Sequence, residues 1–175
     1  MADRSDASTA MKYSSRGNTR WIVVRGRWGT RFDRWLVRRV GVSVITWQYT
    51  KAAGGRYRPT LLLTTIGRRS GTLHPRALPY HRDGERFVVT GSAGGGPKDP
   101  DWVWNVRDDE HAWIVVDRKE IPVRAHVAAG EEYDRIARDI GEYTDSLRRY
   151  QERATTFGRQ VPLVVLEPRE HSGGP

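Results

Sequence analysis

Six short segments rich in aliphatic and β-branched residues follow one another through the last two thirds of the chain, and they constrain its fold more than any other feature. They cover residues 60–65, 76–81, 86–91, 113–116, 121–127 and 163–166. The sequences RDGE at 82–85 and DRKE at 117–120 are typical of hairpin turns, so we expect antiparallel strands. Six short strands favour a small barrel, because closure removes exposed strand edges.

Two helical segments are predicted beside these strands, which makes the fold class mainly β with α (α+β). In KDPDWVWNVRDD, we expect Asp99 to cap a helix and Pro100 to take its first position. A second helix is predicted over roughly residues 131–153. The residues that recur on one of its faces are Ile136, Ile140, Tyr143, Leu147 and Tyr150.

The N-terminal third is strongly basic. Residues 1–58 carry 13 Lys and Arg against 3 Asp and Glu, whereas the net charge of the whole chain is +9. We therefore divide the chain into a basic arm (1–57), a barrel domain (58–168) and a disordered tail (169–175). Such charge asymmetry indicates an anionic partner for the arm.

Within the arm, the stretch RWGTRFDRWLVRRV predicts an amphipathic helix. Its apolar face consists of Trp28, Phe32, Trp35, Leu36 and Val40. Aromatic residues surrounded by arginines are typical of an interfacial membrane anchor. The alternatives are packing on the barrel and a homodimer contact, while nucleic acid is disfavoured because the segment has more apolar bulk than phosphate binding requires.

Several classes of site and location are excluded by composition. The chain has no cysteine, which rules out disulfides and thiolate chemistry. Its five histidines lack the spacing of a ligand pair, so no metal site is predicted. The polar start has no signal-peptide core, and no apolar run approaches the ~20 residues needed to cross a bilayer. We expect a cytoplasmic protein, with peripheral association at the inner face of the membrane as an open alternative.

Two glycine-containing segments are candidates for anion binding. In GRRSG (67–71), the guanidinium groups of Arg68 and Arg69 and the Ser70 hydroxyl suit phosphate or carboxylate, and Arg76 follows closely. In TGSAGGGPKDPDWVWN (90–105), three glycines lead into a predicted helix start, and Lys98 adds a cation. Taken singly, the first segment is equally well explained as a solvated basic turn and the second is better explained as a flexible loop. The second segment matches neither a Walker A sequence nor a dinucleotide fingerprint.

The segments LLLTTIGRRSG, PRALPY, DGERFVVTGSAGGGPKDPDWVWN, IPVRAHV and VPLVVLEP occur together in this order. On these motifs the chain closely resembles the deazaflavin-dependent nitroreductase family of actinobacteria, over about residues 58–168. The resemblance implies a split antiparallel β-barrel of the FMN-binding type and coenzyme F420 as cofactor. It also implies hydride transfer from reduced F420 to a quinone-like or nitro-bearing acceptor. The alternatives are an FMN-binding oxidoreductase of the same fold and a non-catalytic protein that binds cofactor or lipid.

The resemblance also implies the roles of particular residues. Arg68, Arg69, Ser70 and Gly71 would contact the anionic tail of the cofactor, and Arg76 and Pro79 would line its groove. Those expected around the phosphate or the ring are Ser92, Gly94, Gly95, Lys98, Pro100, Trp102 and Asn105. The catalytic candidates are Tyr143, Tyr150 and Ser92. A phenol near a redox cofactor can donate a proton, although both tyrosines also fit the core face of the predicted helix.

Overall fold

A computed structural model of the chain describes residues 59–169. The predicted N-terminal arm with its amphipathic helix lies outside the described residues, as does the predicted tail beyond residue 169. The division at residues 57 and 58 therefore stays a prediction.

The described part of the chain forms a closed six-stranded barrel, as the sequence predicts. Its strands are β1 (Thr60–Ile66), β2 (Leu73–Asp83), β3 (Arg86–Thr90), β4 (His111–Val116), β5 (Lys119–Val127) and β6 (Leu163–Pro168). They are hydrogen-bonded in the order β1-β2-β3-β6-β5-β4, and every pair is antiparallel. The fully buried side chains of Leu61, Leu63 and Ile114 belong to the cluster inside the barrel.

Three helices accompany the barrel in residues 59–169: α1 (Asp101–Asp108), α2 (Gly130–Tyr143) and α3 (Ser146–Thr155). The prediction of one helix over 131–153 is wrong, because the chain becomes extended at Thr144, with φ −166° and ψ 134°. The Thr144 hydroxyl accepts a hydrogen bond from the Ser146 N–H at 3.2 Å, a local contact that competes with helix continuation. As a result Tyr143 ends α2 with 82% of its side chain exposed, whereas Leu147 is buried.

The prediction that Asp99 caps α1 is also wrong. The helix begins at Asp101, and Pro100 occupies the N-cap position with no side-chain cap. The Asp99 carboxylate instead pairs with Arg159 at 2.6 Å and with Arg107 at 2.8 Å. Two charge-assisted contacts outweigh the single hydrogen bond that a cap would make.

An ionic network holds α2 against the barrel. Arg86 of β3 donates to Glu132 of α2 at 2.9 Å and to Glu167 of β6 at 3.3 Å, and it also contacts Asp83. Arg135 of α2 donates to both carboxylate oxygens of Asp83 at 2.9 Å. The hydrogen bonds from Arg135 and Arg86 lower the pKa of Asp83. Burial raises the pKa of Glu132, but hydrogen bonds from His126 and Arg86 outweigh it and the pKa is lowered.

This network predicts an acid-sensitive fold. A carboxyl whose pKa is lowered by folding stabilises the native state above its unfolded pKa, and that contribution disappears as the pH falls through the folded pKa. We expect the melting temperature to decrease once the pH is lowered below about 4, the ordinary pKa of these carboxyl groups. Asp83→Asn should lower the free energy of unfolding by about 1 kcal/mol at neutral pH. It should also make the melting temperature less dependent on pH below about 4. Thermal melts from pH 7 to pH 3 test this, with Asp134→Asn at an exposed position of α2 as control. The same loss of melting temperature on acidification in both variants would contradict it.

Candidate cofactor-binding site

The arginine turn, residues 67–72, joins β1 to β2 and has its own backbone frame. The Gly67 N–H donates to the Thr72 carbonyl at 2.8 Å, and the Gly71 N–H donates to the Gly67 carbonyl at 2.7 Å. Gly71 has φ +64°, which a glycine adopts without strain. The turn therefore keeps its shape without help from the side chains of Arg68 and Arg69.

The side chains of this turn are available to a ligand. Arg68, Arg69 and Ser70 are exposed. Neither arginine forms an ion pair with a carboxylate of residues 59–169. The Ser70 hydroxyl lies 2.8 Å from the Thr72 hydroxyl and 3.3 Å from Nε2 of His74. The exposed face of the turn thus offers two guanidinium groups that have no carboxylate partner in residues 59–169, and a small polar cluster.

Asn105 of α1 fixes the position of the arginine turn. Its side-chain amide donates to the Thr65 hydroxyl at 3.0 Å, and its carbonyl oxygen accepts the Arg68 N–H at 3.2 Å. Asn105 is 6% exposed, and so is Trp102, which belongs to the barrel core. The structure therefore gives both residues a packing or positioning role within the protein, and their contact with a cofactor stays a prediction.

Arg76 and Pro79 lie on opposite faces of β2. Arg76 is the cross-strand partner of Leu63, so the two side chains share the face that lines the core. Leu63 is fully buried but Arg76 is exposed, which indicates that the barrel opens at this point of β2. Pro79 is paired with Thr60 on the other face. Leu78, paired with the buried Leu61, shares the face of Arg76 instead.

The glycine loop, residues 91–96, joins β3 to the segment before α1. Three consecutive residues have left-handed backbones: Ala93 at φ 45°, Gly94 at 65° and Gly95 at 77°. The Gly95 N–H donates to the Ser92 carbonyl at 2.8 Å, and the Gly96 N–H donates to the Ala93 carbonyl at 3.1 Å. The N–H groups of Ser92, Ala93 and Gly94 donate to no acceptor within residues 59–169. Such amides can bind an anion or a ring carbonyl.

Arg159 organises the glycine loop and is absent from the sequence-based set. Its guanidinium donates to the carbonyls of Gly96 at 2.9 Å, Ser92 at 2.7 Å and Gly91 at 3.3 Å, and to the Asp99 carboxylate at 2.6 Å. The side chains of Arg159 and Asp99 are 10% and 9% exposed. No local pattern around Arg159 distinguishes it from the other arginines, so sequence reasoning had no signal for this role.

The helix α3 lies directly against the glycine loop. A Cβ atom added at Gly95 would lie 2.8 Å from Cβ of Arg153 and 3.0 Å from the Tyr150 carbonyl oxygen. Tyr150 is half-buried and packs on the cluster between α2 and α3. The structure therefore brings the backbone of Tyr150 to the loop while its side chain packs on that cluster, and Tyr143 is exposed at the end of α2. Lys98 is exposed between the loop and α1.

Trp104 links the arginine turn to the glycine loop around α1. The Arg68 guanidinium lies 5.8 Å from the centre of the Trp104 ring, and that of Arg107 lies 4.5 Å from it. Arg107 pairs with Asp99, which pairs with Arg159 beneath the glycine loop. Two loops from distant parts of the sequence thus belong to one connected surface. Its exposed arginines and unpaired amides fit a ligand with an anionic tail and a polar flat ring.

Comparison with known proteins identifies similar chains. A model of the F420H(2)-dependent quinone reductase family matches residues 30–168. An F420H(2)-dependent quinone reductase of Mycobacterium tuberculosis is 29% identical over 151 residues, which cover 78% of this chain and 98% of that protein. A putative F420H(2)-dependent quinone reductase of the same species is 35% identical over 116 residues, which cover 63% of this chain and 91% of that protein.

Solved structures agree on the architecture. An F420-H2 dependent reductase has a TM-score of 0.56 at 27% identity, covering 63% of this chain and 95% of that one. A protein described as a domain-swapped dimer has a TM-score of 0.57 at 23% identity, covering 80% of this chain and 97% of that one. The second similarity concerns the fold alone.

Proposed function

The chain belongs to the family of F420H(2)-dependent quinone reductases, and on this premise we propose that it reduces a quinone with reduced coenzyme F420. The observation that supports this best is the connected surface around α1, where two arginines without a carboxylate partner and three backbone amides without an acceptor, within the described residues 59–169, are linked through Trp104, Arg107 and Asp99. When bound, reduced F420 supplies a hydride, which is the difficult part of the chemistry. The protein has to bind the cofactor, orient the acceptor and supply a proton.

The binding roles follow from where each group lies. Arg68 and Arg69 hold the anionic tail, because their guanidinium groups are exposed and have no described carboxylate partner. The backbone amides of Ser92, Ala93 and Gly94 receive the polar edge of the ring or a phosphate. Asn105 holds the arginine turn against α1 through its bonds to the Arg68 N–H and the Thr65 hydroxyl. Arg76 lines the opening in the barrel beside them.

Quinone reduction by a hydride needs one proton to complete the hydroquinone, and we propose that a side chain near the glycine loop donates it. Tyr150 is our first candidate because α3 lies against Gly95, and Tyr143 and Ser92 are the others. Tyr150→Phe is expected to lower kcat for quinone reduction by about tenfold while leaving the affinity for F420 unchanged, because general acid catalysis is lost without loss of binding. Stopped-flow reduction of a soluble quinone by the F420H2-loaded enzyme measures this. If Tyr150→Phe keeps the kcat of the wild type, Tyr150 is not the proton donor. Variants of Tyr143 and Ser92, measured in parallel, then identify which of them donates the proton.

Nitro-bearing compounds are a second class of acceptor that we propose, since they also accept a hydride. The same stopped-flow assay with a nitroaromatic acceptor tests this. A protein that turns over quinones and leaves nitro compounds unchanged restricts the activity to quinones.

We propose that residues 27–40 attach the protein to the membrane surface, where lipid-soluble quinones reside. The support is the sequence, in which Trp28, Phe32 and Trp35 recur on one helical face among arginines. In the part of the chain that the structure describes, none of the helices has the length and apolarity needed to span a bilayer.

Replacing Trp28, Phe32 and Trp35 together with serine is expected to reduce sedimentation with anionic liposomes by about tenfold, because the apolar contact is lost while every arginine is kept. Unchanged sedimentation would show that charge alone accounts for binding. If the variant sediments with liposomes as the wild type does but is a monomer in solution where the wild type is a dimer, this face is a homodimer contact.

A further inference from the structure

All three guanidinium nitrogens of Arg159 donate hydrogen bonds to the glycine loop or to Asp99. Its Nε donates to Gly96, Nη2 donates to Ser92, and Nη1 is shared between Gly91 and Asp99. The three backbone acceptors are carbonyls at both ends of one six-residue loop. A single planar group therefore fixes the entry and the exit of the loop with respect to each other.

The glycine loop depends on an outside partner of this kind. Residues 93–95 all have left-handed backbones and form only a single short 3-10 turn, which has little stability of its own. Its internal bonds are the two from Gly95 to Ser92 and from Gly96 to Ala93. The carbonyls that Arg159 satisfies lie in buried or half-buried residues, where an unsatisfied acceptor costs about 1–3 kcal/mol.

Asp99 fixes the guanidinium and connects it to the other half of the site. It accepts from Arg159 on one oxygen and from Arg107 on the other. Arg107 stacks on Trp104, whose ring also lies 5.8 Å from the Arg68 guanidinium. The separation in sequence between Arg159 and the loop is more than 60 residues.

We propose that Arg159, oriented by Asp99, is a positioning residue that holds the glycine loop in its cofactor-binding conformation. This inference rests on the proposed function, because it assigns the loop to F420. Arg159 is nearly buried and its donors are already engaged by the protein, so it acts through the loop and does not touch the cofactor. An arginine is required because lysine presents its donors from one point and cannot span carbonyls at both ends of the loop.

The test uses the full chain with Arg159→Lys and Asp99→Asn, and Arg124→Lys as a control at an exposed ion pair with Glu110. Two quantities are measured for each protein: the Kd for F420 by fluorescence titration, and hydrogen exchange of the loop peptide without cofactor. Both site variants should bind F420 about tenfold more weakly and exchange the Gly95 and Gly96 amides faster.

The outcomes separate the inference from the proposed function. A wild type that binds F420 while Arg159→Lys binds it equally well overturns the inference alone, even if the thermal midpoint falls, because the role is then structural only. A wild type that does not bind F420 overturns the proposed function and with it this inference. Weaker binding with faster loop exchange in both site variants, and neither change in Arg124→Lys, supports it.

Discussion

The double substitution Arg68→Ala and Arg69→Ala is expected to weaken F420 binding at least tenfold, or about 1.4 kcal/mol. Both guanidinium groups are exposed and have no carboxylate partner in residues 59–169, so they are free to pair with an anionic tail. Their removal deletes two charge-assisted contacts. The fold should survive, because the turn is closed by backbone bonds from Gly67 and Gly71 and anchored by Asn105.

A control with the same change in net charge distinguishes direct contacts of Arg68 and Arg69 with the cofactor from long-range attraction by the positive charge of the protein. Arg124→Ala combined with Arg138→Ala removes the same charge from exposed positions on β5 and α2. Fluorescence titration at two salt concentrations should show a large loss of affinity and a smaller salt dependence only in the Arg68 and Arg69 pair. An equal loss in both pairs would mean that long-range attraction alone brings the cofactor to the protein. Wild-type affinity in the first pair would remove the arginine turn from the site.

Gly95→Ala is expected to destabilise the protein by about 3 kcal/mol and to abolish tight cofactor binding. The backbone at Gly95 has φ +77°, which costs a residue with a Cβ about 1–2 kcal/mol. The new methyl would also lie 2.8 Å from Cβ of Arg153 and 3.0 Å from the Tyr150 carbonyl oxygen. Overpacking against such neighbours typically costs about 1–3 kcal/mol, and relief requires α3 to move away from the loop.

Gly94→Ala is the matched control for this prediction. Gly94 has a similar φ of +65°, but an added Cβ would meet no atom within 4 Å. It should therefore lose only the conformational term, about 1 kcal/mol, and keep measurable F420 affinity. Urea unfolding and fluorescence titration compare the two variants. Equal destabilisation would show that the packing of α3 on the loop contributes nothing to either stability or binding.

The strands could be predicted because their signal is local. In β1, the run TLLLTTI encodes strand propensity and burial without reference to the rest of the chain. The strand β2 covers Leu73–Asp83 and is longer than the predicted 76–81. Within residues 59–169, residues 73–79 pair with β1 alone and β3 joins from Tyr80 onward, so a proline without an N–H is tolerated on the other side of this segment.

The arrangement within the site was less predictable because it depends on distant partners. Asp99 precedes a helix and has the sequence signature of a cap, but Arg159 lies 60 residues away and takes its carboxylate. The side chain of Asn105 bonds to Thr65 and the Arg68 N–H, two partners that the local sequence does not reveal, and its predicted contact with the cofactor stays a prediction. The break at Thr144 leaves helix periodicity intact on both sides, so the pattern alone did not reveal it.

The central claim is that this barrel is built for a deazaflavin cofactor, and a fluorescence titration of the purified protein with coenzyme F420, run beside FMN at the same ionic strength, tests it most directly. We predict saturable binding of F420 and much weaker binding of FMN. Saturable binding of FMN alone would contradict the account while keeping the fold, and binding of neither would remove the arginine turn and the glycine loop as a cofactor site.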